Sequence, residues 1–428
     1  MGEMQELTTF WFVTIAAIKV VAVFTVLMVV VAYMTLAERR VSAFIQDRLG
    51  PNRVGPFGLL QPIADGIKNI IKEETMPGTA AKFYFVLGPA LAIMPAVVTI
   101  AVIPFAAPLP TPVGTVDMVV ADVPIGVLYI LALSSLAVYG VVLSGWASNN
   151  KYAFLGGLRA SAQMISYEVA LGLSLIAVLL LVGNVTLTEA VWRQQQLGLW
   201  FVFPLSLAFI FFLISALAET NRLPFDMPEA ESELITGYHT EYSAMKFSMF
   251  FIAEYAHVVT ASALLATLFL GGWDIPFWTG DDIFRHESGW IRGFDEAGAP
   301  IPATPSVLIT LLTLAAFSVK TGFFLLLYIW IRWTLPRFRY DQVMHLGWKV
   351  LLPSSLGYIM LIAGTMLVLD QLGIPFGILY GGVLTVVSGI TTLAFLFFVD
   401  RDRVIAGAHR RRVARSPAAD ADALGLDC

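Results

Sequence analysis

The sequence predicts an all-α polytopic membrane protein of about nine transmembrane helices, and three observations predict it. Of its 428 residues, 58% are hydrophobic and only 13% charged, and the mean hydropathy is +0.78. Soluble domains run roughly 45–50% apolar and about 25% charged. The apolar residues are gathered into runs that reach the ~20 residues a helix needs to cross a bilayer core. Lys and Arg are segregated between alternate connecting loops, as orientation in a membrane requires.

Nine apolar spans follow in order: 10–36, 83–105, 125–147, 161–183, 199–219, 243–271, 306–331, 351–372 and 376–399. The loops 37–82, 148–160, 220–240 and 332–350, with the tail after 400, hold 20 of the 26 Lys and Arg. The alternate loops 106–124, 184–198 and 272–305 hold 3. This asymmetry predicts an N-terminus outside and a C-terminus in the cytoplasm. Residues 1–6 carry two acids and no basic group, so the first span is expected to remain as a helix rather than leave as a signal peptide. Residues 1–400 then form one transmembrane domain.

The loops differ in character. In 37–82, Ile63, Ile67, Ile70 and Ile71 recur at helical spacing while Asp65, Lys68, Asn69 and Lys72 take the other face. That pattern predicts an amphipathic helix lying along the membrane interface or against a partner. The loop 272–305 is acidic and carries Pro and Gly, as a surface excursion does. The tail 401–428 holds Arg410, Arg411, Arg412 and Arg415 before an Ala/Asp stretch, which is expected to be disordered and suited to anionic lipid.

Several chemistries are excluded or disfavoured. Cys428 is the one cysteine, so neither an intrachain disulfide nor an iron–sulfur cluster held within this chain is possible. The five histidines include no i, i+4 metal pair. The glycines of 50–58 have the wrong spacing for a phosphate loop. No nucleic-acid partner is implied.

Charged groups inside the spans each require a reason, because one at the bilayer centre costs roughly 2.5–3.5 kcal/mol on insertion scales. They include Lys19, Glu168, Glu219, Lys246, Glu254, His257 and Lys320. They either pair with one another and hold helices together, or form a chain of proton-exchanging sites; buried carboxylates suit the second role. Between the fifth and sixth spans, Asp226, Glu229, Glu231 and Glu233 stand against a single Arg222. Acids this close repel, so some stay protonated and respond to a nearby change of charge.

Four blocks carry a resemblance. They are Glu38-Arg39-Arg40 with QDRLGPNRVGP at 46–56 and QPIAD at 61–65; RASAQ at 159–163 with Ser166-Tyr167-Glu168; the segment from Glu219 to Glu233 with GYHTEYS at 237–243; and LPRFRYDQ at 335–342 with Gly347-Trp348-Lys349. In these the chain resembles the H-type membrane component of bacterial NADH:quinone oxidoreductase (respiratory complex I), the counterpart of mitochondrial NADH dehydrogenase subunit 1. The resemblance implies a chamber that admits the quinone tail from the membrane, lined or supported by Arg39, Arg40, Gln46, Asp65, Lys68, Arg222, Phe225 and Asp226. It also implies a proton-coupling set of Glu168, Glu219, Glu229, Glu231, Glu233 and Glu254. Quinone is then the substrate and this chain has no cofactor of its own. FMN and iron–sulfur clusters would belong to hydrophilic-arm subunits, with small and antiporter-like membrane subunits as further partners, in the bacterial plasma membrane. The ninth span, the Arg-rich tail and the longer 272–305 loop depart from compact family members. Two alternatives remain: the homologous subunit of a membrane-bound hydrogenase, and a stand-alone proton-coupled transporter.

Overall fold

In a computed structural model the described residues are 9–400, apart from 113, 227–236, 277, 279, 282, 287–288, 295–299 and 303. The helices in chain order are α1 (Thr9–Ile45), α2 (Gln61–Ile71), α3 (Lys82–Val98), α4 (Gly126–Ala147), α5 (Lys151–Val182) and α6 (Leu187–Leu197). They continue as α7 (Ser206–Glu219), α8 (Ala244–Phe269), α9 (Val307–Thr334), α10 (Tyr340–His345), α11 (Leu352–Gln371) and α12 (Ile378–Asp400). A π-helical turn, Leu346–Leu351, joins α10 to α11.

Among the described residues, eight helical segments are long and apolar enough to cross a membrane. They correspond to eight of the nine expected spans. The fifth, 199–219, is a helix only over the 14 residues of α7. Pro204 cannot supply a backbone donor to a helix interior. The stretch before it instead turns, with the Val202 amide donating to the Phe269 carbonyl at 2.9 Å. The expected interfacial helix is α2, and Ile63, Ile67, Ile70 and Ile71 are all exposed along one face of it. The connection 184–198, expected as a plain loop, contains a helix of its own, α6.

Helices α3 and α4 touch backbone to backbone. A Cβ on Gly140 would lie 2.7 Å from the Ala92 nitrogen, so only glycine allows that approach. Two small antiparallel sheets occupy connections: β1 (Leu109–Thr111) with β2 (Gly114–Val116), and β3 (Phe284–His286), β4 (Gly289–Phe294) and β5 (Pro300–Pro302) in that order.

Polar contacts gather the Lys- and Arg-rich loops at one end of the bundle. The Thr75 amide and hydroxyl donate to Ser243 Oγ at 2.8 and 2.9 Å. Lys246 pairs with Glu74 at 2.9 Å, and Asn150 donates to Glu241 at 2.7 Å. At the other end, Thr310 donates to the Pro108 carbonyl at 2.8 Å and Trp200 to Asp274 at 2.8 Å. Two intramembrane lysines prove to be fasteners. Lys19 Nζ donates to the carbonyls of Asp117 and Val119 at 3.3 and 2.7 Å. Lys320 Nζ donates to those of Leu270, Gly272 and Asp274 at 2.5, 3.1 and 2.5 Å.

Candidate functional site: a charged chamber at the end of α1

The site begins with a misfit. Glu38 lies on the long apolar helix α1 and is buried, so its charge needs partners brought from elsewhere. Three arrive. Arg222 Nη1 donates to Glu38 Oε2 at 3.1 Å, Tyr255 Oη donates to the same oxygen at 2.5 Å, and Arg332 pairs with Oε1. Arg222 pairs through Nε with Glu254, and its guanidinium carbon lies 4.0 Å from the centre of the Tyr255 ring. Two arginines and two glutamates from four elements therefore balance one another within the protein.

Local structure holds Arg222 in place. Gln163, buried on α5, donates to the carbonyls of Ala218 and Phe225 at 2.9 Å each and to Asn221 Oδ1 at 3.1 Å. The segment is clamped from outside by Arg337 on Asp226 at 3.3 Å and by the Phe338 amide donating to the Pro224 carbonyl at 3.1 Å. Phe225 packs between Tyr167 and Phe338, ring centres 5.4 and 5.6 Å away. Gly156 lets the far end of the loop close on α5, since a Cβ there would lie 2.7 Å from Gly237 Cα.

This network forms part of the wall of a cavity of about 600 Å³ between α1, α2, α8 and α9. Glu38, Arg39, Arg48, Asp65, Tyr255 and Arg332 supply polar groups, and Val31, Ile70, Phe247, Phe251, Ile252 and Trp333 supply apolar ones. The volume falls within the range of small-molecule sites, and a largely apolar wall with few polar groups suits a ligand with a long apolar part and one polar end. A second cavity of about 580 Å³ lies at the opposite end, beside Asp117, Asp122, Glu189 and Trp273. No residue of the expected site borders it.

The expected residues separate into those the fold assembles at the chamber and those it does not. Arg39 reaches Asp65 at 2.6 Å across the chamber, and Lys68 stands at the rim, 3.8 Å from Asp65. Arg222 lies behind Glu38 and joins it to Glu254. Arg40 packs instead against Gly50, and Gln46 is exposed, accepting from Arg48 at 2.6 Å. Phe225 and Asp226 belong to the clamp behind the wall. Of the carboxylate chain, Glu168 accepts from Ser135, while Glu219 interacts with Ser134 and with Glu168. Glu229, Glu231 and Glu233 lie outside the described residues.

The residues missed as site members are Glu38, Arg48, Tyr255 and Arg332. Glu38 carried a signal, being the one acid in the 37-residue α1. Arg332 carries no such signal, since basic residues are common at the end of an apolar span.

His239, beside the chamber end, shows how dry this region is. It packs against Tyr238 and Phe247, ring centres 5.0 and 5.3 Å away, and burial lowers its pKa from 6.5 to about 4. A depressed folded-state pKa means that the unfolded chain binds the proton first, so stability falls as pH drops through that window. Between about pH 7 and 4.5 this residue alone is expected to remove roughly 2–3 kcal/mol. Thermal unfolding in detergent across that range should show a flatter acid limb for His239→Phe than for the parent protein.

Fold and site together define an all-α integral membrane protein with a charged chamber set into one end of its helix bundle. A family model described as NADH dehydrogenase matches residues 18–363. The chain is 48% identical over 351 residues to the first H-type subunit of NADH-quinone oxidoreductase from Geobacter metallireducens, covering 82% of this chain and 96% of that protein. It is 49% identical over 350 residues to NADH-ubiquinone oxidoreductase chain 1 of Chondrus crispus, covering 82% and 96%. It is 47% identical over 356 residues to the H-type subunit of NADH-quinone oxidoreductase from Paramagnetospirillum magneticum, covering 83% and 93%. The chain belongs to this NADH dehydrogenase family, that of the H-type subunits of NADH-quinone oxidoreductase.

Proposed function

We propose that the chain is the membrane subunit through which NADH:quinone oxidoreductase admits quinone and couples its reduction to proton translocation. The observation that carries this reading is the continuity of the chamber wall with the charged interior. Glu38 faces the cavity, Arg222 links Glu38 to Glu254, and Glu254 shares a small cavity with Glu219. The apolar face of the chamber receives the quinone tail, and the polar end near Arg39, Asp65 and Arg48 faces the headgroup's path. Electrons come from FMN and iron–sulfur clusters in hydrophilic-arm subunits docked at the Lys- and Arg-rich end, which is the cytoplasmic one. Small and antiporter-like membrane subunits receive the coupled charge.

The physical link is electrostatic. Two-electron reduction of a quinone draws two protons and changes the charge in the chamber. Any such change alters how strongly Glu38 holds Arg222, and hence how strongly Arg222 holds Glu254. Glu229, Glu231 and Glu233 would extend this chain from the loop after Asp226. The protein is thus a conduit and coupling element in the bacterial plasma membrane, with residues 401–428 as an appended tail.

Gentle purification of the tagged chain tests the reading. Co-purification of flavin and iron–sulfur subunits with inhibitor-sensitive NADH:quinone activity is expected. A lone oligomer, or a hydrogen-evolving complex without quinone activity, overturns it. Within the assembled enzyme, Glu219→Gln or Glu231→Gln should slow quinone reduction while NADH oxidation by a hydrophilic artificial acceptor continues. Equal loss of both activities with assembly intact would show that the carboxylates have no coupling role.

A further inference from the structure

His257 lies one turn beyond Glu254 on α8. Its Nε2 is buried and has no hydrogen-bond partner among the described residues, and the same is true of Thr260 Oγ1 one turn further on. Both atoms belong to residues that face small cavities. One, of about 40 Å³, is lined by Glu219, Asn221, Glu254 and His257. The other, also about 40 Å³, is lined by Ser134, Glu219, His257 and Thr260. Glu219 and His257 thus border both. A water needs roughly 10–15 Å³ of accessible space and two to four polar partners, so each cavity has room for water and polar groups to hold it. Buried polar atoms without protein partners are most often satisfied in this way.

We infer that His257 is the proton relay between Glu219 and Glu254, working through water in each cavity. Protonated Glu219 gives its proton through water to Nε2, leaving a carboxylate and an imidazolium. The imidazolium returns the proton through the second water to the Glu254 carboxylate, and neutral imidazole is restored. In net terms one proton passes from Glu219 to Glu254: each bridging water accepts one proton and gives one up, and Nε2 releases the proton it took. Its arrival at Glu254 removes the carboxylate charge that Arg222 holds, leaving Arg222 to Glu38 alone. A proton in the helix interior thereby alters the chamber wall, and the reverse sequence carries a charge change outward. The polar groups that line these cavities with His257 include Ser134 on α4, Glu219 on α7, Asn221 on the following segment, Tyr238 on the turn Gly237–His239, and Glu254 and Thr260 on α8. Two carboxylates on either side of one imidazole give the transfer its direction whenever one of them is charged.

This inference rests on the proposed function, and its test separates the two. The whole complex is purified through the tagged chain and reconstituted in proteoliposomes. His257→Gln keeps hydrogen-bonding atoms but cannot become a cation. In this variant, with normal subunit composition on a native gel, quinone reduction and proton uptake are expected to fall at least about tenfold. The solvent deuterium isotope effect on quinone reduction should change with them, which a merely structural role would not cause. Unchanged rate and isotope effect overturn the relay. Should His257→Gln fail to assemble, Thr260→Val decides, because it removes only the hydroxyl of the second cavity: a several-fold loss supports the relay and a full rate overturns it. If the unaltered chain brings down no NADH-oxidising partners, the functional reading fails instead.

Discussion

Arg222→Leu is expected to be the most damaging single change in this protein. It removes the shared partner of two buried carboxylates, Glu38 and Glu254, along with the cation over the Tyr255 ring. Breaking one side of a buried ion pair costs about 3–5 kcal/mol, because the charge left behind is neither solvated nor paired. Stability of the purified protein should fall by about that amount, and quinone reduction should be lost even where the protein still assembles. Arg222→Lys should be intermediate, because one ammonium cannot reproduce the two directions in which the guanidinium reaches Glu38 and Glu254. Combining Arg222→Leu with Glu254→Leu should recover part of the loss, since the stranded charge has gone too. Thermal unfolding of the parent, the two single variants and the double variant would measure this coupling, and strict additivity would show that the pair is not energetically linked.

The second large effect is expected at Glu38. Arg222, Tyr255 and Arg332 all donate to its two oxygens. Glu38→Gln presents an amide group to these donors and leaves two guanidinium charges at the chamber wall. Hydrogen bonds to a charged group contribute about 1.5–3 kcal/mol each. Losing the equivalent of one of them corresponds to roughly a ten- to hundredfold drop in quinone reduction. The loss should appear in kcat and in KM for quinone alike, because the cavity wall and the charge relay share this residue. Quinone kinetics of the assembled enzyme with Glu38→Gln provide the measurement, and wild-type values would remove Glu38 from the site.

Much of the membrane architecture was legible because apolar runs and Lys/Arg asymmetry are local signals. The amphipathic α2 was equally readable from the spacing of its isoleucines. The 199–219 span overstates its helix because apolarity continues through Trp200–Leu205, where Pro204 and bonds to the end of α8 turn the chain instead. The site was legible in its parts but not in its pairing. Glu38 meets partners 184, 217 and 294 positions away in sequence, and no periodicity reports such distances. Lys320 shows the same limit: an intramembrane cation reads alike whether it relays protons or, as here, holds three carbonyls. Arg40, Gln46 and Phe225 share motifs with chamber residues, yet the backbone turns them to other neighbours.

The three carbonyls held by Lys320 have a mechanical consequence. They sit at the end of α8 or just beyond it, where a helix carries its negative dipole end and its unsatisfied acceptors. The lysine that satisfies them belongs to α9. Glu38 in turn draws together Tyr255, midway along α8, and Arg332, in the last turn of α9. Helices α8 and α9 are therefore pinned at two levels, about half a helix length apart, one directly through Lys320 and one through Glu38. Among the candidate membrane-crossing helices α1 is the least enclosed, with 11% of its apolar window buried. When charge changes in the chamber, α1, which carries Glu38, is the part of its frame with the least packing to resist it.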